Sequence, residues 1–161
     1  MKNSFKYLIG NKMVLAILFS SLIVSMVAMP VRLQLPIIAR RVYLISPGEI
    51  GLLLTLAGIG AVFGTLMIST LKKGNLRFLL FLISAFGLGF CILTLSIFPY
   101  YSVGLIVVIF FGAFEQIRMA LSNVLTMEYT DKKYRARMMG FFMLNFAFIP
   151  FGALPIGYGV D

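Results

Sequence analysis

The feature that most constrains this chain is an alternation of long apolar runs with short basic loops. Five runs carry little charge, at about 13–39, 49–71, 78–98, 101–128 and 138–158. A run of about 20 apolar residues is long enough to cross the ~30 Å hydrocarbon core as a helix. In lipid only a helix or a closed barrel satisfies every backbone hydrogen bond internally. The totals agree: 61% of the residues are hydrophobic and 12% are charged, whereas a soluble domain carries about 25% charged residues. The expected fold class is an all-α integral membrane protein, a single transmembrane domain of five helices. The first run is too long, and lacks the small-residue cleavage pattern, for a signal peptide. It reads as a retained span.

The formal net charge is +9, and its distribution sets the expected topology. Lys2, Lys6 and Lys12 lead the chain. Lys72, Lys73 and Arg77 lie between the second and third runs. Lys132, Lys133, Arg135 and Arg137 lie between the fourth and fifth. Five spans put these three segments on one side, which then holds ten of the fourteen basic residues. Arg40 and Arg41 lie on the other side. The positive-inside bias makes the richer side, with the amino end, cytoplasmic. Basic residues placed this way orient the protein and meet anionic headgroups. The expected partner is therefore the lipid bilayer and not nucleic acid.

The chemistry available is narrow. There is no histidine and one cysteine, Cys91, inside an apolar run. A catalytic triad, a histidine-ligated metal and a histidine proton relay are excluded within this chain. No nucleophile–base pair or metal cluster supports a membrane enzyme, and neither a cofactor nor a metal is expected.

The fourth run breaks the apolar rule. It places Glu115, Gln116 and Arg118 well inside a span. At roughly 1.5 Å per residue, Glu115 lies about 20 Å from Tyr101, near the middle of the bilayer. A charge there costs roughly 2.5–3.5 kcal/mol on insertion scales. Two such residues imply a protein interior or a water-filled path. At 100° per residue, Glu115, Met119, Ser122 and Thr126 share a stripe flanked by Gln116, Asn123 and Arg118. Ile117, Leu121 and Val124 form an opposite face suited to lipid or to a neighbouring helix. Glu115 and Arg118 are three apart and can pair within the helix.

The other spans differ from it. The first holds Ser21, Ser25, Arg32 and Gln34, with Pro30 and Pro36 predicting a kink. In the second, Gly60 and Gly64 form a small-xxx-small pattern that admits a close helix, although glycine is common in membrane spans. The third is nearly all apolar and is expected to face lipid. Spans one and four are expected to face each other across a polar cavity. Two readings of Glu115 and Arg118 stand side by side: a coupling and substrate pair, or an ion pair that locks the bundle. Arg32 either joins the site or snorkels to the interface. Gln116 and Asn123 are interhelical hydrogen bonders or substrate ligands.

Three sets of residues carry a family resemblance. The first is Met29-Pro30 followed by Leu35-Pro36. The second is Gly51-Leu52-Leu53, then Ala57-Gly58-Ile59-Gly60-Ala61 and Gly64. The third is Tyr134-Arg135-Ala136-Arg137-Met138-Met139-Gly140. Together, over nearly the whole chain, they resemble the carboxy-terminal half of a major facilitator superfamily transporter, nearest the bacterial drug and siderophore efflux type. The resemblance implies helices seven to eleven of a twelve-helix protein, with the first and fourth helices of the half lining the cavity. It implies a secondary active transporter in the bacterial inner membrane, exporting small amphipathic substrates by proton antiport. Glu115, Arg118, Gln116, Arg32 and Asn123 would then serve substrate and coupling, and Lys72, Lys73, Arg77, Arg135 and Arg137 would form gating loops. Leu71 stands where the family has an acidic residue, and Arg135-Ala136-Arg137 replaces Arg-Gly-Arg. A twelfth helix and a first half are not in the chain, so a fragment that works with a missing transporter half is expected. The other reading is an inactive or structural five-span remnant or partner subunit.

Overall fold

The computed structural model describes residues 7–8, 10–42, 46–71, 74–98 and 100–147, with side chains except at 34, 38, 41, 42 and 144–147. All regular structure among these residues is helical. The helices are α1 (Lys12–Val42), α2 (Pro47–Ser69), α3 (Asn75–Ile97), α4 (Tyr101–Glu128) and α5 (Arg135–Ala147). Lys12–Leu33 of α1, together with α2, α3 and α4, are each long and apolar enough to cross a membrane. The fifth expected span is described only as far as α5 runs; Pro150, Pro155 and the glycines beyond them lie outside the described residues. Pro30 and Pro36 fall inside the continuous assignment of α1.

Two helices start earlier than the apolar runs suggest, and local chemistry explains both. The Ser46-Pro47-Gly48 turn is the first turn of α2. Glu49 reaches back, and its Oε2 accepts from the Ser46 N–H at 2.7 Å and from Ser46 Oγ at 2.9 Å. Pro47 sits where a helix has no use for an N–H. α3 begins at Asn75, so Arg77 lies in its first turn. Arg77 Nη2 donates to the Leu71 carbonyl at 3.0 Å, closing the end of α2. Gly74 makes this reversal with φ +142° and ψ −171°, a region open essentially to glycine alone. Gly74→Ala is expected to cost about 1–3 kcal/mol in thermal unfolding of the detergent-purified protein.

The chain divides into two compact units. One contains residues 32–120: the end of α1, all of α2 and α3, and α4 as far as Ala120. Its apolar core joins Leu35, Ala39, Leu53 and Val108, with Ile50, Ala57, Tyr101 and Leu105 against them. α4 is the centre of this unit, because each other helix meets it. α2 does so through its glycines. A Cβ on Gly60 would fall on the Ile109 carbonyl, and one on Gly64 would lie 2.7 Å from the Ala113 oxygen. From the other side, a Cβ on Gly112 would strike the Ala57 carbonyl. The backbones therefore touch with no side chain between them. α3 approaches through Gly87, whose missing Cβ leaves room for the Phe114 ring. The remaining faces of α2 and α3 are apolar and open: Phe63, Phe86 and Phe90 are 64%, 79% and 71% exposed. Of α3, Phe81, Ser84, Leu88 and Cys91 are buried.

The other unit contains residues 1–31 and 121–161. In its described part Leu8, Val14 and Leu18 pack with Met138 and Phe142 of α5, flanked by Tyr7, Tyr129, Met139 and Phe141. Asn11 begins α1: its Oδ1 accepts the Val14 N–H at 3.3 Å, and its Nδ2 donates to the Tyr129 carbonyl at 3.1 Å. The Tyr7 and Tyr134 rings stack with centroids 4.3 Å apart. The Tyr7 hydroxyl accepts the Asp131 N–H at 3.0 Å.

Candidate functional site: an ion pair between α1 and α4

The polar residues of α4 do not face an oily back. From Phe111 to Thr126 no residue is exposed. Ile117 and Leu121, which sequence periodicity assigns to lipid or to a neighbouring helix, are buried. Burial along this stretch makes room for polar groups that lipid would penalise.

Glu115 is buried on this helix. The expected partner was Arg118, but the hydrogen-bonded partner is on another helix. Arg32 Nη1 of α1 donates to Glu115 Oε2 at 3.2 Å. The two ends are unequal: the Arg32 side chain is 58% exposed and that of Glu115 is 8%. Arg118 is also buried and within electrostatic reach of Glu115. The carboxylate therefore serves two guanidinium groups, one along its own helix and one across from it. An intrahelical spacing rule sees only the first. The cross-helix partner depends on how far α1 slides along α4, which no local pattern encodes.

The other predicted substrate residues are dispersed. Gln116 is half-buried on α4 beside Glu115. Asn123 is half-buried in the other unit, and its Oδ1 is buried with no hydrogen-bond partner. A cleft of about 640 Å³ opens among Tyr7, Gly10, Asn11, Lys12, Tyr129 and Asp131. None of its lining residues is one of the predicted substrate residues. Asn11 was readable as a helix-capping asparagine ahead of an apolar run; the tyrosines carried no such signal.

The predicted gating residues also separate. Lys72 and Lys73 lie outside the described residues. Arg77 sits in α3, not in a loop, and is engaged at the end of α2. Arg135 begins α5, and its Nε donates to the Thr130 carbonyl at 3.2 Å, across the turn between α4 and α5. Arg137 is exposed. Arg77 and Arg135 thus brace helix ends.

The site is thus a buried acid paired to an arginine between two long apolar helices. The comparison with known families places the chain that carries it. The model of the Major Facilitator Superfamily matches residues 13–160. The chain belongs to this superfamily. No curated protein and no solved structure matches it. Major facilitator proteins are transporters, and this chain is a multi-pass membrane protein of that family. Within the superfamily chain, α1 and α4 are the helices that carry the charged pair.

Proposed function

We propose that the chain is the carboxy-terminal part of a proton-coupled major facilitator exporter of small amphipathic compounds, and that Glu115 is its coupling group. The observation that carries this reading is the Arg32–Glu115 ion pair. A buried carboxylate in a span is costly, and this one ties two helices together by charge. When Glu115 Oε2 takes a proton, the carboxylate becomes a neutral acid and its attraction for Arg32 collapses. The polar contact between α1 and α4 is then weakened, while the apolar packing of Leu35 and Ala39 near Val108 remains. When the proton leaves, the pair re-forms. One proton taken up and given back per cycle thus switches one helix–helix contact. Arg118 holds a second positive charge close by.

In this reading the five spans correspond to helices seven to eleven, and they act with a complementary transporter half. The amino end is cytoplasmic in a bacterial inner membrane, as the basic loops favour.

The test is accumulation of a fluorescent cationic dye in inverted vesicles under an imposed proton gradient. The chain together with a complementary half is expected to accumulate dye, and the accumulation is expected to collapse when the gradient is discharged. Transport across a broad substrate panel that ignores the proton gradient would refute the coupling assignment.

A further inference from the structure

The cleft of about 640 Å³ beside the first turn of α1 shares no residue with the Glu115 site. It lies within one compact unit. Residues far apart in the sequence build and brace it. Asn11 Nδ2 donates to the Tyr129 carbonyl at 3.1 Å, and the Tyr7 hydroxyl accepts the Asp131 N–H at 3.0 Å. Tyr7 also stacks on Tyr134, and Leu8 packs with Met138 and Phe142. Its volume falls in the range of small-molecule sites, about 300–1,000 Å³.

Two opposite charges line this cleft, Lys12 and Asp131. Both residues are exposed, and among the described residues no ion pair joins them. A cleft that keeps a cation and an anion apart is matched by a ligand that carries both charges. A purely anionic ligand would meet the Asp131 carboxylate, and a purely cationic one would meet Lys12. The Tyr7 hydroxyl adds a donor, because it accepts from Asp131 and still has its own hydrogen to give.

The position of the cleft selects the source of such a ligand. Lys12 opens the membrane-crossing stretch of α1, and Glu128 closes that of α4, just before Tyr129 and Asp131. The cleft therefore stands where two spans leave the hydrocarbon, at headgroup depth, where tyrosine is enriched. Past Lys12 along α1, Met13, Leu15 and Phe19 are exposed. They offer apolar surface at the depth of acyl chains.

We propose that this cleft binds the headgroup of a phospholipid that joins a phosphate to a primary ammonium, the ethanolamine class. Lys12 Nζ and the Tyr7 hydroxyl donate to the phosphate, and the Asp131 carboxylate accepts from the ammonium. Both ends are charge-assisted hydrogen bonds, the stronger kind. A quaternary ammonium has no N–H for Asp131, so the choline class loses that contact. The site requires only that the chain spans a membrane and is independent of whether Glu115 carries protons.

Native mass spectrometry of the purified chain tests this, with phosphatidylethanolamine, phosphatidylcholine and phosphatidylglycerol of matched acyl chains titrated in detergent. The ethanolamine lipid is expected to bind about tenfold more tightly than either of the others, the weight of one charge-assisted hydrogen bond. Lys12→Gln and Asp131→Asn are each expected to remove that preference, and Asp131→Asn should also strengthen binding of the glycerol lipid. Lys12→Arg should keep the preference. Lys132→Gln, an equal loss of charge at the residue after Asp131 but outside the cleft, should keep it too. Thermal unfolding near the parent value checks that each variant is folded. Equal binding of all three lipids would overturn the proposal. So would a preference that Lys132→Gln removes as fully as Lys12→Gln, since that describes a diffuse basic surface. Soluble glycerophosphoethanolamine that displaces the lipid at equal concentration would overturn the lipid assignment in favour of a water-soluble zwitterion.

Discussion

Gly60→Ala is expected to cost more than about 3 kcal/mol, while Gly58→Ala, two residues away on the same helix, should be neutral or stabilising. The asymmetry follows from what each missing Cβ would meet. At Gly58 there is open space within 4 Å. A glycine in an exposed helical position gains about 0.5–1 kcal/mol when replaced by alanine. At Gly60 the new carbon lands on the Ile109 carbonyl of α4. A side chain could rotate away, but a backbone oxygen inside a helix cannot. The whole of α2 must lift from α4, which removes the contacts of Ala57 and Gly64 as well. Ordinary overpacking costs about 1–3 kcal/mol, and a backbone-on-backbone collision lies beyond that range. Gly112→Ala should behave like Gly60→Ala, because its Cβ strikes Ala57 from the opposite side. Folded yield by size-exclusion chromatography and thermal unfolding in detergent reads both effects. Equal losses at Gly58 and Gly60 would mean that glycine flexibility, not close approach, is what these positions supply.

The second large effect concerns the charges. Glu115→Gln is expected to destabilise the chain by about 3–5 kcal/mol, the usual consequence of removing one member of a buried charged pair. The charge left behind is Arg118, which is 3% exposed. Arg32→Gln should cost no more than about 1 kcal/mol, because the Arg32 side chain is 58% exposed and exposed pairs contribute little. Glu115 then still has Arg118. The double variant Glu115→Gln with Arg118→Met should recover most of the loss, since it removes the buried positive charge as well. A thermal unfolding cycle over these variants measures the coupling. If Arg32→Gln proves as damaging as Glu115→Gln, the carboxylate depends on the cross-helix arginine and not on both.

These two predictions mark what the sequence made legible. The spans were visible because lipid allows so few backbone solutions, and α2, α3 and α4 appear where the apolar runs lie. Their starts were shifted by chemistry that hydropathy does not score: Glu49 capping Ser46, and Gly74 reversing the chain. Gly60 and Gly64 announced a close contact, but their partners Ile109 and Ala113 are ordinary apolar residues on another helix. Glu115 announced itself by its cost in lipid. Its partner Arg32 did not, because a long arginine near a helix end has a second outlet at the interface. Ser122 and Thr126 were legible as part of the polar stripe of Glu115; that both are fully buried was not.

The most direct test of the central claim separates driven transport from exchange. Vesicles bearing the chain and its complementary half are assayed twice: for dye accumulation under an imposed proton gradient, and, after loading with dye, for exchange with excess unlabelled substrate outside and no gradient. If Glu115 is the coupling group, Glu115→Gln abolishes gradient-driven accumulation and keeps exchange, per folded protein in the vesicles, at a rate near the parent, while Glu115→Asp retains part of both. A Glu115→Gln protein that accumulates dye under the gradient as fast as the parent would show that the Arg32–Glu115 pair only holds α1 to α4, and would contradict the account.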